Sequence, residues 1–276
     1  MQISILGCGW LGFPLAKKLI YKGFTIKGST TSESKLEVLK LNKIEPYLIK
    51  LEENEVIGNF SEFVTDSEIL IIDIPPGLRK IKETFVEKTF VNKIKTLLPF
   101  IENSTIKKVI FISSTSVYGD DITIPTVTEE SVLQPDTESG KQLVEVENLF
   151  QNSTKFQTTI IRFGGLVGED RNAVKMLSGK TNILNPEAPV NLIDQVDCIK
   201  IICAIICSQN NSCKVWNETF NAVAPNHPTK KIYYTQKAID LNLPKPEFIA
   251  NQPSNGKIVS SEKLMNTLKY KFNITP

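Results

Sequence analysis

A chain of 276 residues, 41% hydrophobic and 22% charged, has an ordinary globular balance and enough apolar residues for a sizeable core. Its formal charge is only +2 and its basic residues form no compact arm, which argues against nucleic acid or an anionic membrane as partner. Cys8, Cys198, Cys203, Cys207 and Cys213 are odd in number and contain no CxxC pair. A disulfide framework or metal site is therefore not expected, and free thiols point to a reducing, cytoplasmic compartment.

The first strand-like run, residues 3–6, is apolar and ends abruptly in glycine; Met1 leads into it with no basic segment, so no signal peptide is expected. An amphipathic stretch over 11–21 follows, then a second strand over 24–28, helical spacing over 36–41 and a strand over 47–51. Residues 68–74 (EILIIDI) are almost wholly apolar, as in a strand covered on both faces. A long helix is predicted over 85–101, a strand over 109–112, a helix over 140–150 and a strand over 158–163. This alternation implies an α/β fold, a Rossmann-type doubly wound parallel sheet with helices on both sides.

Beyond Phe163 the rhythm weakens. Loops rich in Asn, Pro and Gly surround a strong helix at 196–207, a strand at 219–223 and a last helix near 261–268. The run IKIICAIIC is too short to cross a bilayer. The expected organisation is a dinucleotide-binding domain over 1–164, to which 189–224 returns. Residues 165–188 and 225–276 are expected to form a smaller substrate or lid region.

Gly7-Cys8-Gly9-Trp10-Leu11-Gly12 reads GxGxxG and sits between the first strand and the first helix. There Gly7 permits the tight turn, Gly9 lets a diphosphate approach the backbone, and Gly12 lets helix pack on strand. Free amides at the helix start would hold the phosphates. A glycine turn that holds nothing has the same letters, but this placement favours a dinucleotide. At the end of the second strand, Gly28-Ser29-Thr30-Thr31-Ser32 contains no acid to receive a ribose 2′-hydroxyl. Small hydroxyls followed by Lys35 suit a 2′-phosphate, so NADP is expected ahead of NAD; Ser32 is also a candidate helix cap.

Ser113-Ser114-Thr115-Ser116-Val117-Tyr118-Gly119 resembles the SSxxVYG segment of extended short-chain dehydrogenases/reductases, the superfamily of nucleoside-diphosphate-sugar epimerases and dehydratases. Ile72-Asp73-Ile74-Pro75-Pro76 stands where a loop of that family covers the cofactor. Ile161-Arg162-Phe163-Gly164-Gly165-Leu166-Val167-Gly168 is similar to its R…YGPG turn. Asn191-Leu192-Ile193-Asp194 and Phe220-Asn221-Ala222-Val223 agree in order, and the whole set resembles the atypical, YeeZ-like branch. The glycine turn, the hydroxyl run after it and these motifs together give the expected cofactor contacts: Gly7, Gly9, Trp10, Leu11, Gly12, Ser29, Thr30, Thr31, Lys35, Ile74, Pro75, Pro76 and Ser113. The resemblance implies the last four. It also implies a small-molecule substrate and, by analogy, a helix-mediated homodimer.

The family's YxxxK pair is missing. The tyrosine position falls on Ser139 and the lysine position on Leu143, while Lys141 comes two residues early and points about 200° away on a helix. Ser114 matches the substrate-orienting hydroxyl, or simply bonds backbone at a strand end. Tyr118 is a candidate substitute acid, or an aromatic that packs nearby. His227 touches substrate or is an ordinary turn residue, and Arg162 and Arg171 hold an anionic substrate or pair with neighbouring acids. Two classes follow: an NADP-dependent oxidoreductase or epimerase/dehydratase with an atypical site, or a cofactor-binding sensor without hydride chemistry.

Overall fold

The computed structural model describes residues 1–78, 88–208, 214–250 and 252–273. The first half runs β1 (Gln2–Leu6), α1 (Gly12–Tyr21), β2 (Thr25–Thr30), α2 (Leu36–Leu41), β3 (Glu45–Leu48), β4 (Lys50–Leu51), β5 (Val56–Ile57), α3 (Phe60–Val64) and β6 (Ile69–Ile72). It continues through α4 (Thr89–Lys95), α5 (Leu98–Glu102), β7 (Lys108–Ser114), β8 (Thr126–Val127), α6 (Glu138–Gln151) and β9 (Gln157–Phe163). The remainder holds β10 (Gly165–Val167), β11 (Leu192–Asp194), α7 (Gln195–Cys207), β12 (Thr219–Ala222), α8 (Lys230–Asp240), β13 (Ile258–Val259) and α9 (Glu262–Leu268).

Seven strands pair in the order β12-β9-β7-β6-β1-β2-β3, all parallel. The alternation along β6 explains why both faces are covered: Ile69 and Ile71 join one core with Ile3 and Ile5, and Leu70 and Ile72 join the other with Leu6. α1, α7 and α9 cover the first face through Leu15, Ile202 and Leu264; α3 to α6 cover the second through Phe63, Ile94, Ile101 and Val146. The chain leaves β1 for β2 on one side and returns to β6 on the other. In sheets of this kind such a reversal is where the ligand crevice forms, here beyond the C-terminal ends of β1 and β6.

Several elements differ from expectation. The long helix is divided into α4 and α5, because Pro99 stands at the start of α5 and cannot continue α4; positions 85–87 lie outside the described residues. The third strand splits into β3, in the sheet, and β4, which turns away to pair with β5. α3 and α8 were not foreseen. α3 is capped by Asn59 at one end and at the other by the buried Lys27, whose Nζ donates to the Glu62 and Thr65 carbonyls at 2.7 and 3.0 Å. The C-terminal stretch, grouped with the lid by sequence, docks on the sheet: the Val223 amide donates to Ser261 Oγ at 2.8 Å, and Tyr270 Oη donates to the buried Asp197 at 2.6 Å. Among the described residues no helix is long and apolar enough to cross a membrane.

Candidate functional site

The GxGxxG segment forms the floor of the crevice. Gly7 takes a φ of +107°, open to glycine at little cost, and a side chain there would strike the Asp73 carbonyl. A side chain on Gly12 would strike the Gly7 carbonyl, whereas the Cβ direction of Gly9 meets nothing within 4 Å. The loop's amides can be accounted for in turn. Gly7 N–H donates to Ser29 Oγ at 2.9 Å, Cys8 N–H to the Ser29 carbonyl at 2.8 Å and Gly9 N–H to the Gly7 carbonyl at 2.8 Å. Gly12 lies beside the Asp73 carboxylate, whose Oδ2 is 3.3 Å from where a Gly12 Cβ would stand, and its amide favours the charged carboxylate. The amides of Trp10 and Leu11 have no protein acceptor among the described residues. Two unmet donors therefore stand at the start of α1, where the helix dipole is positive.

At the end of β2 the hydroxyls divide. Ser29 is buried and shapes the glycine turn; Thr30 is buried and its Oγ1 accepts from Ser32 N–H at 3.2 Å. Neither is presented to a 2′-phosphate, a correction to the expected contact set that follows from β2 running two residues further than predicted. Thr31 and Lys35 are exposed beyond the strand. Ser32 Oγ pairs with Ser34 Oγ at 2.9 Å and makes no cap bond.

The opposite wall is the loop after β6. Asp73 N–H donates to the Leu6 carbonyl at 2.9 Å, which carries this loop directly onto the glycine turn. Ile74 packs beside Gly7, and Pro75 is exposed and Pro76 half-buried next in line. The Asp73 carboxyl is pushed up to about 7 by desolvation, with the Gly12 amide and the Arg171 charge acting the other way. A tight turn over 168–171 closes on the same loop: Trp10 Nε1 donates to Asp170 Oδ1 at 2.7 Å, and the Arg171 guanidinium lies 5.0 Å over the Trp10 ring. Gln195 Nε2 at the start of α7 donates to the Trp10 carbonyl at 2.6 Å. Asp73 was legible as an acid inside an otherwise apolar run; Asp170 and Gln195 carried no such signal.

The SSxxVYG segment is turned partly inward. Ser113 Oγ donates to Glu147 at 2.6 Å, inside the fold, which removes it from the expected cofactor contacts. Tyr118 is 2% exposed; its hydroxyl donates to Asn221 Oδ1 at 2.9 Å and accepts from Arg162 Nη1 at 2.7 Å. Burial holds this phenol above its ordinary range, so Tyr118 is withdrawn as a substitute acid. Arg162 likewise forks onto Glu147 at 2.6 to 3.2 Å and cannot reach an anionic substrate. Ser114 is half-buried at the C-terminal end of β7, its Oγ accepting from Ser116 N–H at 3.2 Å.

On α6, Leu143 is 2% exposed in the second core and Ser139 is half-buried near the Thr137 cap. Lys141 points to solvent beside Glu138. Lys257, not foreseen, donates to the Tyr118 carbonyl at 2.8 Å and Asp120 at 2.7 Å. His227 lies on the loop before α8 with Nδ1 buried and without a hydrogen-bond partner among the described residues, and desolvation lowers its pKa.

The sequence matches no family model. It is 30% identical over 273 residues to the protein YeeZ of Escherichia coli strain K12, across 98% of this chain and 95% of that one. A UDP-glucuronic acid 4-epimerase from Bacillus cereus, solved with UDP-glucuronic acid and NAD, superposes with a TM-score of 0.81 at 17% identity, covering 100% of this chain and 95% of that one. A short-chain dehydrogenase/reductase superfamily protein from Agrobacterium tumefaciens with bound NAD gives 0.75 at 17%, covering 100% and 93%. With its near-full-length relative the chain belongs to the YeeZ family, and its doubly wound sheet shares the fold of the short-chain dehydrogenase/reductase and epimerase structures.

Proposed function

We propose that the crevice beyond β1 and β6 binds a nicotinamide dinucleotide, NADP(H) ahead of NAD(H). The protein is then an oxidoreductase or epimerase/dehydratase acting on a small molecule with an atypical active site. The observation that carries this reading is the pair of unpartnered amides on Trp10 and Leu11, beside a Gly9 whose open Cβ direction leaves room for a diphosphate. The NAD held by the epimerase and reductase structures of the same fold supports it. Exposed Thr31 and Lys35 support a 2′-phosphate at the end of β2. When bound, the nicotinamide supplies hydride exchange. Ser114 orients a substrate hydroxyl at the end of β7, and segments 165–188, 225–250 and 252–257 line the substrate side.

A second reading, a cofactor-binding sensor without turnover, is favoured by the buried Leu143 and the inward Tyr118, which leave no phenol–lysine pair at the family's positions among the described residues. Calorimetry with NADPH and NADH tests the shared claim. NADPH should bind more tightly, and Lys35→Ala should narrow the difference; equal affinities reject the 2′-phosphate assignment. Gly9→Glu should abolish binding at an unchanged thermal midpoint, since its side chain enters open space; unchanged affinity removes the site. Hydride transfer in a substrate screen, lost in Ser114→Ala, selects the enzyme, whereas tight binding with no turnover selects the sensor.

A further inference from the structure

The start of α1 already has one carboxylate beside it: Asp73 Oδ2 lies 3.3 Å from where a Gly12 Cβ would stand, and the Gly12 amide favours its charged form. The amides left for a diphosphate belong to Trp10 and Leu11, the two residues just before Gly12. A carboxylate beside Gly12 and a diphosphate on the two preceding amides would repel each other, and each prefers the other neutral. A diphosphate keeps its charge through neutral pH, so the carboxyl is the partner that changes.

We propose that Asp73 sets the affinity of the glycine loop for a dinucleotide: the loop takes the diphosphate with the Asp73 carboxyl protonated, so that binding draws one proton from solvent. This rests on the dinucleotide reading above. Desolvation already holds the carboxyl up to about 7, and a second anion pushes it the same way.

The groups that act on Asp73 come from three elements. Arg171, from the turn after β10, stabilises the charged form. Cys8 of the glycine loop and Cys198 of α7 feel the Asp73 charge, but burial holds the first thiol up to about 12 and the second well above its ordinary range. Both thiols stay neutral between pH 6 and 9, so neither competes for the titration. Asp170, beside Arg171, is bonded to Trp10 Nε1.

The test is calorimetric, with NADH as the probe, because NADPH carries a 2′-phosphate that itself titrates near pH 6. Titrations from pH 6.5 to 8.5 in buffers of differing ionisation enthalpy read affinity and proton uptake together. The wild-type protein should take up a proton on binding above pH 7, and its affinity should fall by up to about tenfold per pH unit there. Asp73→Asn, which keeps the shape and removes the charge, should bind with no proton uptake and no pH slope, and more tightly than wild type at pH 8. NADH binding without proton uptake in the wild type overturns the role of Asp73 alone, as does an equal slope in the variant. The wild-type proton count stands even if the variant fails to fold. No binding of NADH or of NADPH to either protein at any pH overturns the dinucleotide reading and this role with it.

Discussion

Arg162 and Glu147 are 4% and 1% exposed and join β9 to α6 by a forked ion pair. Burial alone works against the Arg162 charge, but the Glu147 carboxylate holds the guanidinium above its ordinary range. Such a pair is worth little against well-packed apolar residues, yet breaking it leaves one buried charge uncompensated. Glu147→Gln should therefore lower unfolding free energy by about 3–5 kcal/mol, whereas Arg162→Met with Glu147→Leu should recover most of the loss. Denaturant titration measures both, and a single variant within about 1 kcal/mol of wild type would remove the pair from the list of structural determinants. Glycine positions give a second contrast. Gly12→Ala forces a methyl against the Gly7 carbonyl and should lower the thermal midpoint, whereas Gly9→Ala should leave it unmoved; equal midpoints would contradict the packing described for Gly12.

At the scale of elements, the turn over 168–171 acts as a strap across the glycine loop. It is held by two backbone hydrogen bonds of 3.1 Å between Gly168 and Arg171 and touches the loop through Trp10. If dinucleotide binds beneath it, Asp170→Ala should hasten NADPH release while the thermal midpoint stays, because the lost bond ties the strap and supports no core. Stopped-flow displacement reads the release rate, and an unchanged rate would leave the strap without a role in retention. What the sequence made legible here was local. The GxGxxG turn, the apolar run of β6 and the amphipathic α1 depend on residues a few positions apart, so spacing alone reveals them. The contacts of Gly12 with Asp73, Ser113 with Glu147 and Trp10 with Asp170 depend on which strand lies beside which, a choice made by the crossovers. Glu147 still left a trace, as a charge sharing the buried face of α6 with Leu143, Val146 and Phe150. The hydrogen bond of Tyr118 to Asn221 left none, because Asn221 lies on the edge strand β12, two strands from β7 in the sheet.

Across the whole molecule, stability is unevenly distributed. The two large cores flank the sheet and enclose β1, β6 and β7, whereas the cluster beneath β10, β11 and α8 contains just Val167, Val190, Leu192 and Tyr233 among its buried members. Segments with little buried apolar surface open at lower free energy than the global transition. Amides of 173–190 and α8 should accordingly exchange hydrogen by local opening, while those of β1, β6 and β7 exchange only through global unfolding. The C-terminal stretch separates this view from a division by sequence order. Leu264 lies in the first core, Ser261 is bonded to Val223, and Tyr270 is tied to the buried Asp197, so α9 should be protected with the sheet and not with α8. Native-state exchange in low denaturant resolves these groups by the slope of opening free energy. Protection of α8 equal to that of β6, or of α9 no greater than that of 173–190, would mean that a single cooperative unit, or a lid that includes the C-terminus, describes the protein better.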